Sequence, residues 1–349
     1  MPLRLSPSCP IAFTSMAIDR VNLMRLRHIR LRLLLESKQM NRIALLQSNR
    51  TPKHLGLEIG PYFAPIFPKK DGWNVRSVDV FNSEELIERA KLDPSIGENH
   101  INIEPVDYIF KGSLLHTVVD NSTTAEAEAI SSGSGLFDYI VSSHNFEHQP
   151  NPIQFLIHCS QLLKLGGSLT LAVPIGTRCF DRMRPLSTTG QIIDAYVTNS
   201  TKPTPGQIVD QFLNFSSDAN SNVPIHHKYY RSDQLQMPYA TSTQKWNPDF
   251  YNWTVATRDS DHYVDSHCWV FNIHSIELIL ADLVMLGIIS NIKLADSWDL
   301  GGEFIITLVK TDELSDELPN RCLLSAEANH YYATDLIRLK PFQLTWESP

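Results

Sequence analysis

The sequence lacks paired cysteines. Its five, Cys9, Cys159, Cys179, Cys268 and Cys322, are scattered. That excludes a disulfide-stapled scaffold and reads as reduced thiols in a cytoplasmic protein. No apolar run approaches the roughly 18 residues that a membrane span requires. There is no GxSxG, HExxH or Walker loop, so serine-hydrolase, zincin and P-loop chemistry have no anchor in the text. Internal repeats and long low-complexity tracts are missing as well. Charged residues make up only 19% of the chain, too few for a coiled coil or a disordered polyelectrolyte, while 42% hydrophobic residues support a full core. A length of 349 residues suits one elaborated α/β domain with insertions.

Basic charge is scarce over most of the chain. The net charge is −8, yet residues 1–53 carry ten Lys/Arg against two Asp/Glu, a net of +8 that leaves −16 on the remainder. An acidic body argues against nucleic acid as a partner, because neutralising phosphates needs a basic surface. The basic segment, with Arg20, Arg25, Arg27, Arg30 and Arg32, has helical propensity. Residues 1–50 therefore read as a basic helical extension. It would dock with its arginines snorkelling, meet an anionic membrane surface or a partner, or serve as a cleaved targeting segment. Arginines interrupt its apolar stretch, which argues against a secretory signal.

From His54 the text alternates between strand and helix patterns. Strands are expected at 54–59, 74–80, about 106–112, 137–143 and 167–174. Helices are expected at 83–91, within 121–135 and at Pro152–Leu163. For the last helix Asn151 is the cap, Pro152 the first residue and Gly166–Gly167 the stop. Such alternation predicts a mostly parallel sheet with helices on both faces. Residues 176–268 break the rhythm and read as an inserted cap over the C-terminal edge of the sheet, with helices near 187–197 and 205–215. An amphipathic helix at 273–286 follows, then two strands closed into a hairpin by Gly301–Gly302. Residues 311–349 read as a polar tail.

The loop "LEIGPYFAP" after the first strand selects a ligand class. Gly60 ends that strand, and Asp79 ends the next, nineteen residues later. A glycine turn with an acid about twenty residues on is how an α/β sheet grips a nucleoside. Pro61, Tyr62, Phe63 and Pro65 make a poor pyrophosphate cradle, since bulk fills the approach and prolines lack amides. A nucleoside without phosphates fits better. Glu58 adds negative charge, which suits a cationic ligand such as S-adenosyl-L-methionine. The cluster "SSHNFEHQPNP" falls at the C-terminal end of the fourth strand, where open α/β sheets bind ligands.

In order, "LEIGPYFAP", "VRSVDV", "FDYIVSSHNFEHQPNP", "LLKLGGSLTLAVP" and "YVDSHCWVF" resemble class I, Rossmann-like S-adenosylmethionine-dependent methyltransferases. The narrower likeness is to a bacterial subgroup linked to surface polysaccharide synthesis. The resemblance covers about residues 50–310. It implies a seven-stranded sheet whose last strand is antiparallel, and a methyltransferase domain at 51–310 with residues 176–268 as the inserted substrate cap. It further implies that Glu58, Gly60 and Pro61 lie by the methionine part of the cofactor. Asp79, with Val80, would hold the ribose, Gly112 or Ser113 would lie near adenine, and Ser143, His144 and Asn145 would line the far side. The sequence departs from the family in having a single glycine in the first loop and no long first helix there.

An alcohol acceptor would need a general base, for which His144, His148, and a pair made of Asp265 and His267 are candidates. His148 with Glu147 also suits a structural tie to the following helix, and His267 suits a hydrogen-bonded core position. The adjacent His226 and His227 with Asp261 and His262 lack metal-ligand spacing, so no metal is expected. Tyr229, Tyr230, Trp246, Tyr251 and Trp253 could stack on a small-molecule or glycan substrate, or pack a loop-rich cap. A nicotinamide oxidoreductase and a non-catalytic binding module are the competing readings. Bulk after Gly60 and the acid at Glu58 weigh against the first.

Overall fold

The computed structural model describes residues 42–93, 96–218, 240–241, 248–260, 264–313 and 320–338. The chain divides into Met1–Ser48 and Asn49–Pro349. In the first unit the described element is the short helix Arg42–Leu46. The basic arginines before it lie outside the described residues.

The second unit is built on one seven-stranded sheet. Its strands are β1 (Gly56–Ile59), β2 (Val75–Asp79), β3 (Tyr108–Ile109), β4 (Phe137–Ser143), β5 (Leu163–Pro174), β6 (Ile292–Asp299) and β7 (Glu303–Lys310), in the order β3-β2-β1-β4-β5-β7-β6. All pairings are parallel except those of β7, which runs antiparallel to β5 and to β6. This is the Rossmann-like sheet that the sequence predicts, with its last strand reversed. β4 and β5 sit mid-sheet and read as near-continuous apolar runs, as strands covered on both faces must. Phe137, Ile140, Leu169, Leu171, Val173, Phe304 and Ile306 are buried in the core.

Helices α1 (Ser83–Leu92), α2 (Leu114–Val119), α3 (Thr124–Ser131) and α4 (Pro152–Leu162) connect the parallel strands. α4 starts where the sequence says: Asn151 Oδ1 accepts from the amide of Gln154, and Pro152 occupies the first turn. Its buried residues Ile153, Leu156 and Cys159 form a three-to-four-residue stripe, and each large apolar side chain so buried contributes about 1.5–3 kcal/mol. The glycine pair does not stop it. α4 ends at Leu162, and Gly166 (φ 77°) and Gly167 lie inside β5. There the register jumps from the pair Phe137–Leu163 to Tyr139–Ser168, so the glycines allow a bulge.

Within 176–268 lie α5 (Thr189–Val197), α6 (Pro205–Leu213) and α7 (Pro248–Thr257). The side chains of Thr188, Thr204 and Asn272 cap the N-termini of α5, α6 and the later α8 (Ile273–Met285). The 311–349 region is not featureless: α9 (Arg321–Arg338) packs on α8. Polar spacing hides it in the text, because only a narrow face including Ala328 and Asp335 is buried. No described helix is long and apolar enough to cross a membrane.

Candidate active site

The order of the strands reverses between β1 and β4, and ligands bind at the carboxyl ends flanking such a switch point. The last registered residues there are Ile59, Val78 and Ser142. Gly60, Asp79 and Ser143 therefore emerge at one level on three adjacent strands. Gly60 takes φ 64° and donates its amide to the Val78 carbonyl at 2.9 Å. A Cβ there would stand 3.3 Å from Asn145 Nδ2. Gly60 and Asn145 thus close on each other across the switch point, and a side chain would separate them.

Asp79 is partly exposed. Its Oδ1 accepts from the Val80 amide at 2.8 Å, and the amides of Phe81 and Tyr62 also bond it. Burial outweighs these donors and lifts its carboxyl to about 6. Tyr62 folds over with φ 44°, a left-handed backbone uncommon for a side chain this large. On the far flank β3 pairs with Asp79 through Ile109, and Phe110 donates its amide to the Asp79 carbonyl at 2.8 Å. Gly112 (φ 82°) has open space where a side chain would stand. Ser113 caps α2, its hydroxyl accepting from the His116 amide at 3.4 Å.

Glu58 requires a correction. It is 3% exposed, and its two oxygens accept the amides of Ile66 (2.6 Å) and Phe67 (3.1 Å). Burial raises its carboxyl to about 7. The carboxylate therefore anchors the 61–67 loop and offers no exposed charge to a cationic ligand. With Pro61, Tyr62, Lys69 and Glu104 it lines a narrow cleft under that loop.

After β4 the cluster splits toward two sides. Asn145 turns to β1, and its Oδ1 accepts from Gln149 Nε2 at 2.6 Å. His144 (φ 50°) turns the other way, and its Nε2 lies 2.9 Å from Glu303 Oε2 at the start of β7. The turn Phe146–His148 buries Glu147 to 1% exposure. The segment 264–271 crosses this turn: Trp269 donates its amide to the Glu147 carbonyl (3.1 Å) and its Nε1 to the Gln149 carbonyl (2.6 Å).

That crossing overturns the expected Asp265–His267 pair. Asp265 Oδ1 lies 2.9 Å from His148 Nδ1, whereas His267 Nδ1 faces Asp181 Oδ2 at 3.3 Å. Each finds its partner on a different segment, Asp265 on the turn after β4 and His267 on the stretch after β5. The His148 and His267 rings meet edge to face, 4.6 Å between centroids. Burial would raise Asp181, but His267, Arg184 and the Cys179 thiol outweigh it and hold the carboxyl at about 2. Against the burial that would lower it, Asp265, Glu147 and Asp181 push His148 upward. Asp181 and Glu303 were invisible to sequence reasoning; each contributes one acid, with no motif around it. His226, His227, Tyr229, Tyr230, Trp246, Asp261 and His262 lie outside the described residues. Tyr251 and Trp253 are exposed on α7.

The family described as "Methyltransferase domain" matches residues 40–283. The chain belongs to that family. It is a methyltransferase, and its cofactor is S-adenosyl-L-methionine. No curated protein matches the sequence. Many solved structures are similar to the methyltransferase, among them the following three. One is a Rhodobacter sphaeroides protein described as a Zn-dependent alcohol dehydrogenase (10% identity, 77% of this chain and 89% of that one, TM-score 0.37). Another is a SAM dependent methyltransferase from Aquifex aeolicus (11% identity, 79% and 96%, TM-score 0.30). The third is a 1,6-didemethyltoxoflavin-N1-methyltransferase from Burkholderia thailandensis (13% identity, 89% and 94%, TM-score 0.33).

Proposed function

We propose that the methyltransferase methylates an oxygen nucleophile of a sugar or related small acceptor, with the cofactor seated at the β1/β4 switch point. The observation that carries this is the meeting of Gly60, Asp79 and Asn145 at adjacent strand ends. The groups suit an unphosphorylated nucleoside: a glycine turn, prolines without amides, and a partly buried carboxylate that a pair of hydroxyls would satisfy. S-adenosylmethionine supplies a methyl group on a sulfonium, already activated for displacement.

Asp79 accepts the ribose hydroxyls, with the Val80 amide fixing the carboxylate. Gly60 and Pro61 give the methionine end its close approach to the backbone, while Glu58 acts indirectly by holding the loop. Gly112 and Ser113 border the adenine. Ser143 and Asn145 flank the cofactor on the β4 side. His144, oriented by Glu303, takes the acceptor proton. His148 and His267 line the acceptor side, and the enzyme's main task is to align the nucleophile roughly 3 Å from the methyl carbon.

The sugar assignment draws support from the likeness of the ordered motifs to polysaccharide-linked enzymes and from exposed Tyr251 and Trp253, which suit stacking on a sugar face. A membrane or partner contact by the basic residues of the first unit fits their charge. The test is isotopically labelled S-adenosylmethionine with a panel of sugars, sugar nucleotides, amines and carbon acids. Label found on a sugar oxygen supports the reading, and label found only on nitrogen or carbon refutes it.

A further inference from the structure

Glu147 is the least explained side chain in the described residues. It is 1% exposed, and neither carboxylate oxygen has a hydrogen-bond partner among those residues. A buried carboxylate without hydrogen bonds is costly to hold unless a cation or a metal stands beside it. Its surroundings are not apolar. Oε1 lies 3.7 Å from His148 Nε2 and 3.9 Å from His267 Nε2. One oxygen and two imidazole nitrogens fall within 4.8 Å of one another. Each imidazole also has a carboxylate near its other nitrogen: Asp265 Oδ1 stands 2.9 Å from His148 Nδ1, close but outside hydrogen-bond geometry, and Asp181 Oδ2 stands 3.3 Å from His267 Nδ1. An acid on Nδ1 fixes the tautomer that turns Nε2 outward as a ligand, the arrangement in which metal-binding histidines are commonly held.

We propose that Glu147, His148 Nε2 and His267 Nε2 bind a divalent transition-metal ion of the zinc class. Two imidazoles and one carboxylate favour such an ion over magnesium or calcium, which take oxygen ligands. Three protein ligands leave a position for water or an acceptor oxygen, as in catalytic rather than structural sites. A second grouping, Cys179, Asp181 and His267, competes for the same histidine. It is the weaker, because Asp181 is already engaged by Cys179 Sγ (2.7 Å) and Arg184 (2.9 Å), and burial holds the Cys179 thiol protonated. Glu147 has no such employment. The inference stands on this cluster alone and not on the proposed acceptor.

The experiment is a titration of the metal-stripped chain with Co2+, followed by visible d–d absorption and equilibrium dialysis, without cofactor or acceptor. The expected result is one Co2+ per chain. Glu147→Gln should weaken it at least tenfold, because an amide oxygen is a poorer ligand for such an ion than a carboxylate oxygen. Asp265→Asn changes an exposed residue outside the first ligand set and should weaken cobalt about ten- to a hundredfold. It serves should Glu147→Gln fail to fold. No cobalt uptake by the wild type, or uptake equal in wild type and in the folded variants, overturns the site while leaving the methyl-transfer reading standing.

Discussion

Arg178 and Asp335 stand 157 residues apart in sequence, yet Arg178 Nε and Nη2 each lie 2.9 Å from a different oxygen of the Asp335 carboxylate. Thr177 Oγ1 donates to the same carboxylate at 2.6 Å. This fork fastens α9 to the turn that follows β5, directly beside the edge of the sheet that carries the histidines. Removing one partner of a buried ion pair strands the other and costs about 3–5 kcal/mol. Asp335→Ala should therefore lower unfolding stability by about 3 kcal/mol in a urea titration. A loss under about 1 kcal/mol would mean that α9 is held by other contacts.

Tyr139 and Gly56 give a paired prediction about packing. The Tyr139 ring is fully buried, and a Cβ on Gly56 would fall 2.1 Å from its Cζ. Gly56→Ala should cost about 3 kcal/mol, at the upper end of ordinary overpacking, since neither strand can move aside. The Tyr139 hydroxyl has no hydrogen-bond partner among the described residues. Tyr139→Phe should then be neutral or stabilising by about 1 kcal/mol. Denaturation of the two variants in parallel checks both, and a destabilising Tyr139→Phe would show that the hydroxyl is satisfied.

Gly60 is the position where backbone freedom and close approach coincide. With φ 64° and Asn145 Nδ2 3.3 Å from a would-be Cβ, Gly60→Ala incurs left-handed strain of about 1–2 kcal/mol and pushes Asn145 aside. Binding of S-adenosylhomocysteine should weaken more than stability falls, and unchanged affinity would remove Gly60 from the site.

The pH dependence follows from Asp79. Its folded carboxyl is raised from the ordinary 3.8 to about 6, chiefly by burial. Its contribution to the stability of the unliganded fold is therefore fully present below 3.8 and is lost as pH rises through about 6. Ligand binding has the opposite sense, because ribose hydroxyls bond the ionised form. Affinity for S-adenosylhomocysteine should be level above pH 7 and fall up to tenfold per unit below about 6, with a proton released on binding there. Calorimetry in buffers of different ionisation enthalpy reads that proton, and Asp79→Asn should abolish its release.

Much of the fold was legible because its signals are local. Apolar runs marked β4 and β5, Asn151–Pro152 marked the start of α4, and Gly301–Gly302 marked the final hairpin. The switch-point residues were legible by spacing: Gly60 and Asp79 end neighbouring strands. What stayed hidden depends on tertiary pairing. Nothing near Glu58 announces that two amides eight and nine residues on consume its charge. Asp265 and His267 look like partners in the text, but each pairs across a crossing of two segments. α9 hides because its one buried acid, Asp335, reads as solvated until Arg178 is placed beside it.

The central claim is that a nucleoside is gripped at the tips of β1 and β2 with its ribose on Asp79. Calorimetry of S-adenosylhomocysteine at pH 7.5 (about neutral, above the Asp79 transition) against wild type and Asp79→Ala tests it most directly. Losing a charged acceptor for sugar hydroxyls costs roughly 1.5–3 kcal/mol, so micromolar affinity in the wild type should weaken about tenfold or more. Equal affinity in the two proteins would contradict the account.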